Sequence, residues 1–348
     1  MKLRDYQQTA IDSLFSHLSS EETGNPVIAM PTGTGKSLVI AGFITQALKT
    51  APNTRFVVAT HVKELITQNA DKLKNIWPQA PYGVNSAGLK SYDFMQPVIF
   101  AGMQSIRNKV DKLGYRNCLI IDECHLIGPS QDNSYQRIIS ELREKNPSLR
   151  VIGLSATPWR TKDGDLVQSG IFDSVAIDMT SIEWFEWFFD NGYLVPPIPR
   201  STKTEMDMSS VPVLAGEYKT NTMQEVAADE VVTYKALSEM CELADDRESW
   251  LIFAAGNDHC ERIAEILGSF NVSATYIHSG LSSAEREKRL AEHKKGNFRA
   301  IVSNNILTTG YDDPRIDGIG VLRPTLSPGL WVQMLGRGTR PNPAGNKE

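Results

Sequence analysis

Short apolar runs alternate with helical patterns through the first half of the chain, and each apolar run leads into a polar loop. This alternation is typical of a parallel sheet wound by helices. The predicted strands of this half are Val27 to Met30, Arg55 to Thr60, Val98 to Ala101, Cys118 to Ile121 and Arg150 to Leu154. Since ligands bind beyond the carboxyl ends of the strands in open α/β sheets, we expect the chemistry in the loops that follow these strands.

A second series of the same kind occupies the C-terminal half. Its predicted strands are Trp250 to Ala254, Ala274 to Ile277, Arg299 to Val302 and Gly318 to Leu322. Between the two series, an aromatic helix over Trp184 to Tyr193 is followed by prolines that cannot continue a helix or a central strand. The pattern predicts an α/β protein of two domains, 1–195 and 196–348, with an irregular connection over Thr202 to Thr222.

The bulk composition agrees with two globular domains. A length of 348 residues exceeds what one compact domain usually needs, and the hydrophobic share of 41% and charged share of 22% are ordinary. The net charge of −5 argues against a protein that coats nucleic acid through a broad basic field. Any contact with nucleic acid is therefore expected to be local, through backbone amides and a few side chains.

Neither the apolar runs nor the cysteines indicate a membrane span or a zinc site. No run approaches the roughly 20 apolar residues that cross a bilayer, and the N-terminus leads into a polar helix rather than a signal-peptide core. The cysteines are Cys118, Cys124, Cys241 and Cys260, without CxxC spacing or a histidine at zinc-finger distance. We expect a cytoplasmic protein with reduced thiols, no membrane association and no zinc in this chain.

The strongest motif lies directly after the first apolar strand and before a helical run. It is Pro31-Thr32-Gly33-Thr34-Gly35-Lys36-Ser37. Glycines allow backbone amides to curl around phosphate oxygens, Lys36 supplies positive charge to the β and γ phosphates, and Ser37 offers a hydroxyl to Mg²⁺. Met30 stands where the general pattern has its first glycine, but the strand, loop and helix are in the required order.

An acidic pair follows another apolar strand, in the sequence Asp122-Glu123-Cys124-His125. Asp122 at the strand end can hold Mg²⁺ through water, since Mg²⁺ takes few carboxylates and keeps several waters. Glu123 is then placed to orient or deprotonate the attacking water. Together with the phosphate loop, the pair predicts hydrolysis of a nucleoside triphosphate.

The N-terminal helix carries the residues that we expect to select the base. It opens with Arg4 and Gln7, and its apolar face is Ile11, Leu14, Phe15 and Leu18. The amide of Gln7 can pair with both hydrogen-bonding groups of an adenine edge. This arrangement would favour ATP over GTP.

Near the other end lies Gln333-Met334-Leu335-Gly336-Arg337-Gly338-Thr339-Arg340. Arg337 and Arg340, beside flexible glycines, suit fingers that reach a γ phosphate across a cleft, and we group Gln333 with them as catalytic. Because these residues belong to the second domain, hydrolysis would require the domains to close.

The order and spacing of these four signatures resemble those of superfamily 2 helicases. The intermediate motifs match as well, as Thr60-His61-Val62-Lys63-Glu64-Leu65 (motif Ia), Gln104-Ser105 (Ib), Ser155-Ala156-Thr157-Pro158 (III) and Leu307-Thr308-Thr309-Gly310-Tyr311-Asp312 (V). The resemblance implies two RecA-like domains, each a mostly parallel sheet flanked by helices, with ATP and Mg²⁺ in the cleft between them and nucleic acid across both.

The resemblance also implies roles for individual residues. Thr60, His61, Lys63, Gln104 and Ser105 would touch the phosphate backbone from the first domain, and Thr308 and Thr309 from the second. Gly310 and Asp312 would face the nucleotide, and Ser155 and Thr157 would couple the two sites. These groups are mostly hydroxyls and amides, which position a strand without identifying its bases.

Within the superfamily, four segments are similar to the RadD group of bacterial DNA-repair ATPases: His61 to Leu65, Ala87 to Lys90, Asp122 to His125 and Leu307 to Gly310. That group continues into a cysteine-rich zinc-binding region which this chain lacks, so contacts with repair proteins would involve a region absent here. We expect a monomer that binds single-stranded or branched DNA. The alternatives are an RNA helicase, and a nucleotide-gated clamp without productive turnover.

Overall fold

The structure, a computed structural model, describes residues 2–20, 24–127, 132–160, 164–165, 170–214, 216–308 and 310–342. The chain separates into two compact units, Met1–Phe185 and Glu186–Glu348. The division falls inside the aromatic helix that the sequence predicts, earlier than the proline run. No helix in the described part of the chain has the length and apolar character that crossing a membrane requires.

The first unit is built on an eight-stranded sheet, with a separate antiparallel pair formed by its eighth and ninth strands. In chain order the strands are β1 (Pro26–Ala29), β2 (Phe56–Thr60), β3 (Tyr82–Ser86), β4 (Ser91–Tyr92), β5 (Val98–Gly102), β6 (Cys118–Asp122), β7 (Arg150–Ser155), β8 (Trp159–Arg160), β9 (Gly164–Asp165) and β10 (Ser174–Asp178).

The strand order of the large sheet is β10-β1-β7-β6-β2-β5-β3-β4. Every neighbouring pair in it is parallel except β3 and β4. The carboxyl ends of the parallel strands therefore line one edge of the sheet, where the predicted motifs follow β1, β6, β2, β5 and β7.

Helices accompany the strands of this unit. They are α1 (Asp5–Ser19), α2 (Lys36–Thr50), α3 (Lys63–Ile76), α4 (Met103–Ile106), α5 (Val110–Leu113) and α6 (Asp132–Lys145), and α7 (Ile182–Asp190) contains the division between the two units. A large apolar cluster packs Tyr135, Ile138 and Leu142 of α6 against strand residues such as Leu119 and Val151. Burial of these side chains is the main favourable term for this layer.

The amino ends of the strands are joined by a buried arginine that the sequence does not single out. Arg116, just before β6, donates to the carbonyls of Leu113, Gln96 and Pro97 at 2.8–3.1 Å and also to that of Phe94. Burial and the nearby charge of Arg55 lower the pKa of Arg116 to about 10, so it stays charged at neutral pH. This edge of the sheet is therefore occupied by structural contacts, and the opposite edge is left for chemistry.

The second unit has its own parallel sheet, in the order β14-β15-β13-β16, and a short hairpin of β11 and β12. Its strands are β11 (Val213–Leu214), β12 (Glu217–Tyr218), β13 (Trp250–Ala254), β14 (Ala274–Ile277), β15 (Ala300–Ser303) and β16 (Gly318–Leu322). Its helices are α8 (Thr220–Ala227), α9 (Glu230–Leu243), α10 (Asn257–Ser269), α11 (Ser283–Lys294) and α12 (Pro328–Leu335).

Alternate residues of β13 point to opposite faces of this sheet, as the pleat of a strand requires. Trp250 and Ile252 pack into one apolar cluster, and Leu251 and Phe253 into another. Every residue of β13 is buried, which is why it occupies an interior position of the sheet.

The predicted fold class is confirmed, and all nine predicted strands lie within one residue of observed strands. The sequence misses β3, β4 and β10, which form the margins of the large sheet. β3 contains Gly83 and Asn85, and β10 is only partly buried, so neither shows a continuous apolar run. The stretch from Thr202 to Thr222 is mostly irregular, with the β11–β12 hairpin inside it.

Candidate functional site

The loop after β1 has the geometry of a phosphate cradle. Gly33 and Gly35 adopt φ values of 90° and 89°, in the left-handed region that side chains rarely enter. The Thr34 hydroxyl donates to Pro31 O at 2.7 Å and closes the turn. α2 starts at Lys36 directly after the loop, so its unpaired amides and positive dipole end face the place where phosphates would lie.

The N-terminal helix braces this loop. Tyr6 Oη and Gln7 Nε2 both donate to Thr34 O, at 2.8 and 2.9 Å, and Gln7 Oε1 accepts from Arg4 N at 3.0 Å. A Cβ at Gly35 would lie 2.6 Å from Gln7 Nε2, so the glycine is also needed for this close approach. Gln7, which the sequence predicts to bind adenine, thus has both its amide nitrogen and its amide oxygen hydrogen-bonded to backbone atoms.

The acidic pair meets the loop at Lys36. Lys36 Nζ lies 3.6 Å from Glu123 Oε1, and both side chains are almost fully buried. Glu123 itself has φ 52°, a left-handed conformation that is uncommon for a residue with a side chain. This turn carries the carboxylate from the end of β6 to the lysine.

His125 and Ser155 extend this contact across the sheet edge. His125 Nδ1 is 3.4 Å from Glu123 Oε2 and 3.0 Å from Ser155 Oγ. Ser155 Oγ also accepts from Thr157 N at 3.0 Å, and Ser155 O accepts from Met30 N at 2.9 Å. The predicted coupling residues Ser155 and Thr157 therefore lie next to both the phosphate loop and the acidic motif.

Asp122 is oriented by a residue that sequence reasoning missed. Asn69 Nδ2 of α3 donates to Asp122 Oδ2 at 2.8 Å, and Glu123 N donates to Asp122 Oδ1 at 3.0 Å. Burial and the charge of Glu123 raise the pKa of Asp122 to about 6, while the Asn69 hydrogen bond and Lys36 oppose that rise. One carboxylate and the hydroxyl of Ser37, which follows Lys36 in the first turn of α2, suit Mg²⁺, since this ion prefers oxygen ligands and takes phosphate oxygens and water for the rest.

The predicted nucleic-acid residues of the first unit divide into two groups. Thr60 is buried, and His61 packs its ring edge-on against Tyr135 with centroids 5.2 Å apart and contacts the phenol oxygen. Burial lowers the pKa of His61, so this ring is neutral at physiological pH. Both side chains contact other groups of the protein, and their contact with a phosphate backbone stays a prediction.

Lys63, Gln104 and Ser105 form the second group. Lys63 is the first residue of α3, and a Cβ at Gly88 would lie 3.4 Å from its Cδ. Ser105 Oγ accepts from Ala87 N at 3.0 Å, and Gln104 is exposed. The structure therefore brings these side chains to the carboxyl ends of β2, β3 and β5, and the phosphate track that they are expected to form stays a prediction.

In the second unit, Arg337 holds the loop after β15. Its guanidinium is buried and donates to Thr308 O and to Tyr311 O, the latter at 2.8 Å. Gln333 is buried in α12, and the Thr308 hydroxyl donates to Asn305 O at 2.6 Å. These predicted site residues have structural contacts inside their own unit.

The remaining residues assigned to this loop have different surroundings. Arg340 forms an ion pair with the exposed carboxylate of Asp312. Gly310 has φ 74°, which requires glycine. Thr309 lies outside the described residues.

Asp313, which follows Asp312 in the chain, is held in place by Arg315 and Tyr311. Arg315 contacts both of its carboxylate oxygens, at 2.6 and 3.0 Å, and Tyr311 Oη donates to Oδ2 at 3.0 Å. Burial alone would raise the pKa of Asp313, but hydrogen bonds from His293 and Arg315 hold it well below its usual range. The backbone that presents Thr308 and Asp312 is therefore rigidly supported.

A row of neutral polar side chains at the carboxyl ends of β13, β14 and β15 was also missed. Asn304 Nδ2 donates to Asn257 Oδ1 at 3.0 Å, and Asn257 Nδ2 lies 3.4 Å from Ser279 Oγ. Each residue follows an apolar strand, which is the signal that could have identified it. Amides and hydroxyls of this kind can hydrogen-bond a phosphate backbone.

Two family models match this chain. Residues 1–160 match the model described as "Type III restriction enzyme, res subunit", and residues 233–342 match "Helicase conserved C-terminal domain". Together these two matches support a helicase of superfamily 2. The motifs of the first unit described above fall within the first match, and Arg337 and Arg340 within the second.

Individual relatives of this chain agree with the family models. The putative ATP-dependent helicase IRC3 of Saccharomyces cerevisiae is 27% identical over 97% of this chain and 49% of its own length. The putative mitochondrial ATP-dependent helicase irc3 of Schizosaccharomyces pombe is 28% identical over 98% of this chain and 55% of its own. The chain thus spans about half the length of the curated relatives that it matches.

A solved structure with the same fold is the fragment of a putative HsdR subunit of a type I restriction enzyme from Vibrio vulnificus YJ016. It superposes with a TM-score of 0.69 at 18% identity and covers 99% of this chain and 62% of that one. At this identity the likeness shows the fold, a pair of RecA-like units, and not the substrate.

The chain should lose stability when Arg337 becomes lysine. A single ammonium cannot reproduce the planar fork that serves two backbone carbonyls, and leaving a buried acceptor unpaired costs about 1–3 kcal/mol. We expect Arg337→Lys to lower the urea-unfolding midpoint, measured by tryptophan fluorescence. Arg340→Lys is the matched control, since its partner is an exposed carboxylate, and an unchanged midpoint for Arg337→Lys would contradict the structural role.

Proposed function

We propose that this chain is the core of an ATP-driven DNA motor, which hydrolyses ATP to ADP and phosphate and moves along DNA without reading its sequence. The observation that carries the proposal is the buried contact between Lys36 and Glu123 beside the left-handed glycines of the phosphate loop. A lysine for the phosphates and a carboxylate for the attacking water are what phosphoryl transfer to water needs from a protein.

In the proposed reaction, the phosphates of ATP attract Lys36 and weaken its hold on Glu123. Glu123 then accepts a proton from the attacking water, while His125 keeps the carboxylate in place from its other oxygen. Asp122 and Ser37 would hold Mg²⁺, which when bound would help neutralise the negative charge that develops on the transferring phosphoryl group.

The second unit is proposed to supply positive charge to the transferring phosphoryl group. Arg340 is the stronger candidate, because its described partner Asp312 is an exposed side chain that ATP can displace. Arg337 is held by two backbone carbonyls and is better suited to shaping the loop. Closure of the units on ATP would then couple hydrolysis to movement.

DNA is the proposed substrate for two reasons. One family model and the structural relative are named for restriction-enzyme subunits, and restriction enzymes act on DNA. In addition, Ala87 to Lys90 and Asp122 to His125 resemble the RadD group of repair ATPases. We place the activity in DNA repair or recombination, with Lys63, Gln104 and Ser105 on the phosphate backbone.

Replacing either residue of the buried pair tests the catalytic assignment. Lys36→Ala should abolish ATP binding and turnover, whereas Glu123→Gln should keep ATP binding and lower turnover by about 10²- to 10⁴-fold, the usual contribution of a general base. Phosphate release and nucleotide binding are measured side by side. Lys74→Ala and Glu144→Gln, on exposed helix faces, are the matched controls. Wild-type turnover in Glu123→Gln would reject its assigned role.

Stimulation of the ATPase by different nucleic acids tests the substrate. We expect single-stranded or forked DNA to stimulate turnover more than blunt duplex or RNA of equal length. The titrations are run at several salt concentrations, because phosphate-dominated binding weakens steeply with ionic strength. Equal or greater stimulation by RNA would make this an RNA helicase. Tight ATP-dependent binding without stimulated turnover would make it a clamp.

A further inference from the structure

An exposed tyrosine stands beside positive charges at the margin of the first sheet. Tyr92 ends the edge strand β4 and is 56% exposed. The ammonium of Lys109 lies 5.5 Å from the centroid of its ring, within the range of a cation–π contact. Lys90, which precedes β4, and Arg107, which follows α4, are also exposed.

The register places Tyr92 at the same sheet edge as the predicted phosphate track. Tyr92 pairs with Asn85, next to Ser86 at the carboxyl end of β3. The turn between β3 and β4 is fixed to α4 by the hydrogen bond from Ala87 N to Ser105 Oγ. β4 is two strands from β5, roughly 10 Å at the usual spacing of about 4.8 Å.

The charge around this tyrosine is locally positive in a chain of net charge −5. Four basic residues lie in the segments before and after β4: Lys90, Arg107, Lys109 and Lys112. Lys112 Nζ is 5.9 Å from the centroid of the Phe94 ring. Two acidic residues accompany them: Asp93 Oδ2 accepts from Val84 N at 3.2 Å, and Asp111 is paired with Lys145 at 3.1 Å. An aromatic ring within a basic patch is the combination that binds unpaired bases and their phosphates together.

We propose that Tyr92 stacks against an unpaired base of single-stranded DNA, while Lys109 and its basic neighbours contact the flanking phosphates. This inference rests on the proposed function, since it assumes that nucleic acid follows Lys63, Gln104 and Ser105. Bases in a duplex are already stacked on each other and have no free face for the ring. Tyr92 therefore gives this chain a preference for single-stranded over duplex DNA.

Binding of a fluorescein-labelled oligo-dT and of a blunt duplex of equal length, followed by anisotropy, tests the stacking site. Tyr92→Ala should weaken oligo-dT binding about tenfold, within the range found for removing one base-stacking aromatic. Tyr92→Phe and Tyr92→Trp should stay within about twofold of wild type, because they keep an aromatic face. Duplex affinity should not change in any of the three.

Tyr115→Ala is the matched control, because Tyr115 is 52% exposed but lies just before β6, at the opposite edge of the sheet. The salt dependence separates stacking from charge. Lys109→Ala should reduce the slope of log affinity against log salt by about 0.7, the value of one phosphate contact on a single strand, and Tyr92→Ala should leave that slope unchanged.

Three results would overturn the inference. Tyr92→Ala could bind oligo-dT as tightly as Tyr115→Ala, or it could lose duplex and single-strand affinity equally. The loss could also be no smaller for Tyr92→Phe or Tyr92→Trp than for Tyr92→Ala. In each of these cases the wild-type protein would still bind DNA, so only the stacking site would be rejected. Wild-type protein that binds neither probe, with or without ATP, would instead remove the proposed function and this inference with it.

Discussion

The candidate ATP site depends on β7 lying between β1 and β6. This order places Ser155 beside the phosphate loop on one side and beside His125 on the other, so that Lys36, Glu123, His125 and Ser155 form one buried line of contacts. A carboxylate held at both oxygens, with few water molecules around it, keeps a defined position for accepting a proton. These four residues come from three separate segments of the sequence, and the parallel crossovers of the chain bring them together.

The same strand order separates the two proposed sites of the first unit. The residues proposed to bind the nucleotide follow β1, β7 and β6, while Lys63, Gln104 and Ser105, proposed to bind nucleic acid, follow β2 and β5. One helix links the two regions, because α3 begins at Lys63 and carries Asn69, whose amide orients Asp122. Six residues of helix span about 9 Å. A phosphate that shifts Lys63 would therefore act on Asp122, the proposed Mg²⁺ ligand, through one helix.

Much of the fold follows from local pattern, since each buried strand is an apolar run and each glycine of the phosphate loop has a required conformation. The strands at the sheet margins escape that pattern because they bury less. Individual roles are harder to predict, because they depend on which strands become neighbours. His61 contacts the Tyr135 hydroxyl, and the Gln7 amide donates to Thr34 O. Arg337 donates to backbone carbonyls, and Asn69 donates to Asp122 from another element. None of these contacts is encoded by spacing along the chain.

The central proposal is that Lys36 holds the nucleotide and that Arg340 of the second unit stabilises the phosphoryl group during its transfer. Single-turnover hydrolysis by Arg340→Ala, with ATP affinity measured on the same protein, tests it most directly. We expect ATP affinity to change little and the hydrolysis rate to fall by about 10³-fold or more, the usual contribution of an arginine finger. Hydrolysis at the wild-type rate would show that the first unit completes the reaction without this arginine.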